Sequence, residues 1–297
     1  MLIENTLFGK WDKVQIAIGR LRKFEPPEGY YLAFSGGKDS QCVYHLAKEA
    51  GVKFDAHYRV TGVDPPELVY FIRENYPDVH RDLYEKSMWK LIVNHGIPPD
   101  RWKRYCCAEL KERGGEGRFS VTGVRWAESA RRAKTRSLIE IRTVKSEKRK
   151  MFFADNDEMR KIIETTYGDG CPVKGERILN PIIDWGTEDV WEYLNSRKIE
   201  HCKLYDEGFT RLGCIGCPLA GTKRMLQEFE RWPKFKAAYI RAFDRAIAWR
   251  KQRGLKCTLK TGREMFDWWV YYEQDSKNKD DTIDGQTDMF GGDTVDD

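Results

Sequence analysis

No stretch of this chain approaches the roughly 18 uninterrupted apolar residues that a membrane-spanning helix requires, so no membrane partner is expected. Met1 to Lys10 also lacks the basic-then-apolar layout of a secretory leader, which makes the cytoplasm the expected compartment. A strong charge of one sign is missing too. The 52 basic and 47 acidic residues leave +5, an excess that fits anionic ligands without demanding nucleic acid. Bias toward disorder is absent, since 33% charged and 40% hydrophobic residues are ordinary for a soluble globular protein. A disulfide framework is not expected in a reducing compartment, so the 8 cysteines pose a question of metal or redox use. Cys106 and Cys107 are adjacent and Cys214 and Cys217 form a C-x-x-C, while Cys42, Cys171, Cys202 and Cys257 stand alone.

At 297 residues the chain is long enough for one main core with an appended piece. Val14, Ala17, Ile18, Leu21 and Phe24 have helical spacing, which predicts an N-terminal helix within 1–28 closed by Pro26-Pro27-Glu28-Gly29. Tyr30 to Phe34 then reads as a buried strand. Val43, Leu46, Ala47 and Ala50 recur at helical intervals up to Gly51, a C-cap, and Phe54, Ala56, Tyr58 and Val60 alternate as the next strand. Strand, loop, helix, strand predicts an α/β fold built on a parallel twisted sheet with flanking helices. Phe119 to Val124 resumes the strand pattern and Thr187 starts a helix carrying Val190, Trp191 and Leu194. The α/β domain is thus expected at 29–221, with a charged, poorly periodic insertion at about 140–177 that holds a short helix near Glu158 to Thr166. A C-terminal helical cap is expected at 222–275, its many aromatics serving as packing, and a disordered acidic tail at 276–297.

Ser35-Gly36-Gly37-Lys38-Asp39-Ser40 lies after the first of these strands and before its helix. Glycines let the backbone approach an oxyanion, the helix start aims free N–H groups and its positive dipole end at the same spot, and Lys38 supplies the cation a polyphosphate needs. The Ser35 and Ser40 hydroxyls can donate as well. The loop is not the Walker pattern G-x-x-x-x-G-K-[ST], which makes kinases and GTPases of that type poor candidates. A second basic feature runs from Arg125 to Lys150 and includes Arg131, Arg132, Lys134 and Arg136; it reads either as a solvated face or as a phosphate or nucleic-acid contact surface.

The loop resembles the signature of the ATP pyrophosphatase superfamily, the adenine nucleotide α-hydrolases. Five segments in order narrow that resemblance to the phosphoadenosine and adenosine phosphosulfate reductase family: Ser35 to Ser40; Thr61-Gly62 with Pro66-Glu67; Arg104-Tyr105-Cys106-Cys107 with Lys111; Thr122-Gly123-Val124-Arg125 with Ser129, Arg131 and Arg132; and Asn180 to Trp185 continuing through Leu204-Tyr205-Asp206 to Cys214 and Cys217. The resemblance spans about Tyr30 to Ala220. It implies an adenine-nucleotide site made by Ser35, Gly36, Gly37, Lys38, Asp39, Ser40, Thr61, Gly123 and Arg125. Within that site Lys38, Asp39 and Arg125 would carry the chemistry, ATP or another adenine nucleotide would be the ligand, and a magnesium ion would bridge the phosphates near Asp39.

Cys106, Cys107, Cys214 and Cys217 resemble the ligand set of the family's iron–sulfur members, which implies a [4Fe-4S] cluster; tetrahedral zinc and plain reduced thiols stay open. Two departures from the reductases stand out. Their nucleophilic cysteine near the C-terminus has no counterpart, Cys257 lying in the unrelated setting Leu255-Lys256-Cys257-Thr258, and the loop keeps the full ATP-splitting form. The resemblance therefore implies ATP cleavage to AMP and pyrophosphate in sulfur transfer, with a tRNA or DNA acceptor on the Arg125–Lys150 run and a sulfur or electron donor protein as partners. A thiol-dependent phosphosulfate reductase and a non-catalytic nucleotide-sensing adaptor are the alternatives.

Overall fold

A computed structural model describes residues 1–6, 9–112, 114–115, 117–143, 149–152 and 175–275. In chain order the strands are β1 (Ile3–Thr6), β2 (Gly9–Asp12), β3 (Tyr30–Phe34), β4 (Phe54–Val60), β5 (His80–Leu83), β6 (Phe119–Val121), β7 (Ile139–Thr143), β8 (Arg149–Phe152) and β9 (Gly175–Leu179). The helices are α1 (Lys13–Lys23), α2 (Lys38–Ala50), α3 (Pro66–Asn75), α4 (Met88–His95), α5 (Tyr105–Leu110), α6 (Ala130–Thr135), α7 (Thr187–Ser196), α8 (Thr222–Arg231), α9 (Pro233–Gln252) and α10 (Gly262–Asp275).

The chain forms two compact units that are interleaved in sequence. The first comprises Met1–Arg59, Glu67–Asp82 and Gly114–Leu212. Its centre is a seven-stranded sheet of order β5-β4-β3-β6-β9-β7-β8, parallel across β4, β3, β6 and β9 and antiparallel from β9 through β7 to β8. The mainly parallel sheet with flanking helices is the fold the strand-loop-helix pattern predicts. β3 lies in its middle with Tyr30, Tyr31, Leu32 and Phe34 buried, as a strand covered on both faces must be. α2 packs between α1 and α7 and buries Cys42, Val43, Leu46, Ala47 and Ala50 on its inward face. Full burial of a side chain such as Leu46 contributes about 1.5–3 kcal/mol. Gly51 ends α2 at φ +70, the left-handed C-cap expected of it. Cys42 is a core residue, as its place on an apolar helix face suggested.

Two features were not in the sequence pattern. A hairpin, β1 paired antiparallel with β2, precedes α1. The ends of the charged 140–177 stretch also belong to the sheet, because β7 pairs with β9 from Ile139↔Leu179 to Thr143↔Gly175. Glu158 to Thr166, Cys171 and the tail at 276–297 lie outside the described residues.

The second unit gathers Val60–Pro66, Leu83–Arg113 and the chain from Gly213 onward. α9 packs on α4 and α10, and α8 on α10. Phe229, Tyr239, Phe243, Phe266 and Trp269 interlock there at ring separations of 4.9–6.1 Å. These aromatics are core, buried to 3% exposure or less. Among the described residues no helix is long and apolar enough to cross a membrane.

Candidate nucleotide site and thiol pocket

In the first unit the loop Ser35-Gly36-Gly37 turns sharply from β3 into α2, and two glycines make its geometry possible. Gly36 has φ +69, and a Cβ there would stand 2.6 Å from the Ile72 side chain on α3. Gly123, just past β6, lies so close to α2 that a Cβ would stand 2.7 Å from the Asp39 carbonyl oxygen. The Thr122–Arg125 segment and the first turn of α2 are therefore in direct backbone contact. Gly37 is the N-cap and offers no side chain to the helix amides, leaving that end to other groups. The Tyr205 hydroxyl accepts the Lys38 N–H at 2.9 Å.

The side chains lock the same turn. Ser40 Oγ donates to the Gly37 carbonyl at 2.9 Å and accepts the Ser35 N–H at 3.2 Å. Arg125, only 2% exposed, donates from Nε to Asp39 Oδ1 at 2.7 Å and from its terminal nitrogen to the Trp185 carbonyl at 3.1 Å. Lys38 Nζ lies 3.3 Å from Asp39 Oδ2 and donates to the Thr210 carbonyl at 3.3 Å. One carboxylate thus stands between two buried cations, which leaves the head of α2 with one uncompensated positive charge beside its helix dipole.

The structure brings Ser35, Gly36, Gly37, Lys38, Asp39, Ser40, Gly123 and Arg125 together. Thr61 belongs to the second unit, where its hydroxyl donates to Asp64 Oδ2 at 2.8 Å and Cys214 Sγ lies 3.6 Å from it. Tyr205 was missed as a site residue, although it falls in one of the segments that carry the family resemblance. The carbonyls of Trp185 and Thr210 leave no trace in sequence at all.

The four paired cysteines share the second unit. Cys106 and Cys107 lie in the first turn of α5, and Cys214 and Cys217 bracket a turn at Gly216. Gly216 has φ +73 and sits against the Phe229 ring, where a Cβ would come within 2.6 Å. That turn is held from three sides. Ile215 N–H donates to the Val63 carbonyl at 2.8 Å, Gly216 N–H to Glu228 Oε2 at 2.8 Å, and Tyr239 Oη to the Ile215 carbonyl at 2.9 Å. Glu228 is 2% exposed; burial raises its pKa against the pull of the Gly216 N–H and Arg224. Its sequence signal is an acid on the inward face of α8 beside Met225 and Phe229.

The thiols feel one another. The Cys107 thiol, hydrogen bonding with it, raises the pKa of Cys106, with burial and the other two paired cysteines adding to the rise. Cys107 is lowered by that same hydrogen bond, and by Arg104 and Lys111. Burial pushes Cys214 up to about 12 against the attraction of Lys111. Lys111 is held protonated chiefly by Cys214, with Asp64 and Cys107 contributing. Among the described residues, no group of three or more His, Cys, Asp or Glu is arranged to hold a metal ion.

Comparison with known proteins places this architecture. Residues 29–220 match the phosphoadenosine phosphosulfate reductase domain. The chain belongs to that family. An uncharacterized protein of Methanocaldococcus jannaschii is 27% identical over 244 residues, covering 74% of this chain and 44% of that protein. An adenosine 5'-phosphosulfate reductase of Oceanobacillus iheyensis is 26% identical over 183 residues, covering 57% of this chain and 61% of the reductase. The chain spans about half the length of the curated relatives it matches. Among solved structures, a phosphoadenylyl-sulfate reductase from Candida auris in complex with phosphate is 15% identical with a TM-score of 0.43, covering 67% of this chain and 87% of that one. Within the phosphosulfate reductase family match fall both the loop and all four paired cysteines.

Proposed function

We propose that this family member binds ATP at the head of α2 and splits it between the α- and β-phosphates in sulfur-transfer chemistry. The observation that carries the reading is the glycine cradle at Gly36-Gly37, backed by Lys38 and Arg125 around one carboxylate. The amides of the first turn and Lys38 Nζ take the β- and γ-phosphates, with the Tyr205 hydroxyl yielding the Lys38 N–H to a phosphate oxygen. Arg125, fixed by Asp39 and the Trp185 carbonyl, sets a guanidinium toward charge developing at the α-phosphate. Asp39 meets Arg125 Nε through one oxygen and Lys38 Nζ through the other, and the lone pairs that remain would help position a magnesium ion at the phosphates. It also holds both cations.

Cys106, Cys107, Cys214 and Cys217 would together hold a [4Fe-4S] cluster. The four thiols are close enough to shift one another's ionisation. Lys111 and Arg104 supply the cations an anionic cluster needs. Bound there, the cluster would act as sulfur carrier or electrostatic partner of the chemistry.

Release of pyrophosphate and AMP from ATP, measured with magnesium and with tRNA or DNA as candidate acceptors, tests the nucleotide half. Tight ATP binding that never yields AMP would sink it. Iron and sulfide content with broad absorption near roughly 400 nm after anaerobic purification tests the cluster half; a colourless, iron-free protein overturns it. The relationship to an adenosine 5'-phosphosulfate reductase favours a second reading, thiol-dependent reduction of a phosphosulfate to sulfite. Cys257 is the candidate nucleophile, and an unchanged sulfite rate in Cys257→Ser ends that reading.

A further inference from the structure

The expected acceptor surface, the Arg125–Lys150 run, has several of its cations engaged within the protein. Arg125 is buried against Asp39, Arg132 pairs with Glu128, and Arg136 pairs with Glu140 at 2.8 Å. A stronger concentration of charge lies in the second unit. From Arg231 to Arg263 the sequence holds eleven basic residues and one acid, Asp244, a net +10 (11 − 1) where the whole chain carries only +5. The single acid is already engaged, Asp244 Oδ1 accepting the Gly262 N–H at 2.5 Å.

Most of this stretch is α9, and the helix sorts its residues by side. Tyr239, Ala242, Phe243, Ala246 and Arg250 face inward. Lys234, Arg241 and Arg245 are exposed and fall within about 40° of one another around the helix, rising about 10 Å and then 6 Å along its axis. None of the three makes an ion pair among the described residues. Buried Arg250 donates twice to the Lys256 carbonyl, at 2.7 and 3.1 Å, which ties the basic segment after α9 back onto the helix. An ordinary solvated face intersperses both signs; this one does not.

We infer that the exposed side of α9 docks double-stranded DNA through its phosphates. An anionic membrane fits poorly, because a helix lying on lipid needs a free apolar face and that of α9 is packed on α4 and α10. Single strands call for exposed aromatics between the cations, and the positions there are Ala237, Ala248 and Gln252. Between the two duplexes, the B-form major groove admits a helix and its flanking side chains, whereas the A-form major groove is too narrow. This docking surface does not depend on ATP cleavage.

The test is fluorescence anisotropy of a labelled mixed-sequence DNA duplex with the full chain, repeated between about 50 and 200 mM KCl. Three phosphate contacts give about 2.7 of slope in log affinity against log salt, so over that range the wild type loses about fortyfold more affinity than Lys234→Gln/Arg241→Gln/Arg245→Gln. The triple variant, altered only at exposed positions, keeps its melting temperature. An unchanged salt slope overturns the inference, as does an equal loss in the control Arg131→Gln/Lys134→Gln. So does tighter binding of an RNA duplex of the same sequence or of phosphatidylglycerol vesicles, or no DNA binding at the lowest salt. Pyrophosphate release by the same triple variant reports separately on the nucleotide chemistry and is expected to match wild type.

Discussion

The head of α2 and the thiol pocket are built from different materials. At the first, the geometry rests on backbone: Gly36 and Gly123 let the chain pass close to neighbouring elements at the N-terminus of α2. The second rests on side chains drawn from three separate stretches, with Glu228, Thr61 and Lys111 holding or charging the sulfur-bearing segments. A backbone-built site tolerates side-chain trimming but no added carbon. A side-chain-built site has the opposite weakness. One exception inside the first site, Asp39, sharpens the contrast, because there a single carboxylate separates two cations.

The largest effect is accordingly expected from Asp39→Ala, which leaves Arg125 and Lys38 without their shared counter-ion and costs about 3–5 kcal/mol in urea denaturation. A loss below about 1 kcal/mol would show that the triad is not electrostatically bound together. Gly123→Ala comes next, at about 1–3 kcal/mol, since the new methyl meets backbone rather than a flexible side chain. The same variant lowers the rate of pyrophosphate release on the order of a hundredfold, because displacing Arg125 by a fraction of an ångström misaligns the site. Wild-type turnover in Gly123→Ala would break the comparison on its backbone side.

On the side-chain side, Glu228→Ala leaves the Gly216 N–H without its acceptor and costs about 1–2 kcal/mol. It also reduces iron retained after anaerobic reconstitution, while ATP affinity stays at the wild-type value; a fall in ATP affinity without loss of iron would contradict the division of labour. The smallest effect concerns pH. Burial, with Lys48 adding, lowers the pKa of His45 on α2 below its usual 6.5. As pH falls below about 6.5 the unfolded chain binds the proton first, so stability declines through that window and is complete above it. His45→Gln should flatten this part of the stability curve between pH 7.5 and 5, measured by denaturation midpoints.

The backbone-built site was largely legible in sequence and the side-chain-built one only in part. Tyr30–Phe34, the loop, the helix through Ala50 and the strand Phe54–Val60 announce themselves because their signals are local: periodicity, glycine spacing and a C-cap lie within a few residues of what they control. Gly123 was singled out from a motif, and its reason, contact with the Asp39 carbonyl, appears only when β6 is laid beside β3. The cysteines stood out by spacing. Their supports did not, because Glu228 and Tyr239 meet the turn at Gly216 from a dozen or more residues away and read as ordinary helix positions. β5 carries no strand signal for a different reason: His80-Arg81-Asp82 are three polar residues in a row, so no apolar alternation marks the segment.

The interleaving of the two units has a consequence for the order of events during synthesis. Cys106 and Cys107 leave the ribosome about a hundred residues before Cys214, a delay of roughly 5–20 s at ordinary elongation rates. Throughout that interval the Leu83–Arg113 segment lacks α8, α9 and α10, which supply the rest of its hydrophobic contacts. The first two thiols therefore wait, exposed and unpaired with their later neighbours, while the sheet strands β3, β4 and β6 can already assemble. Maturation of the thiol pocket is a late step, set by when the C-terminal helices arrive.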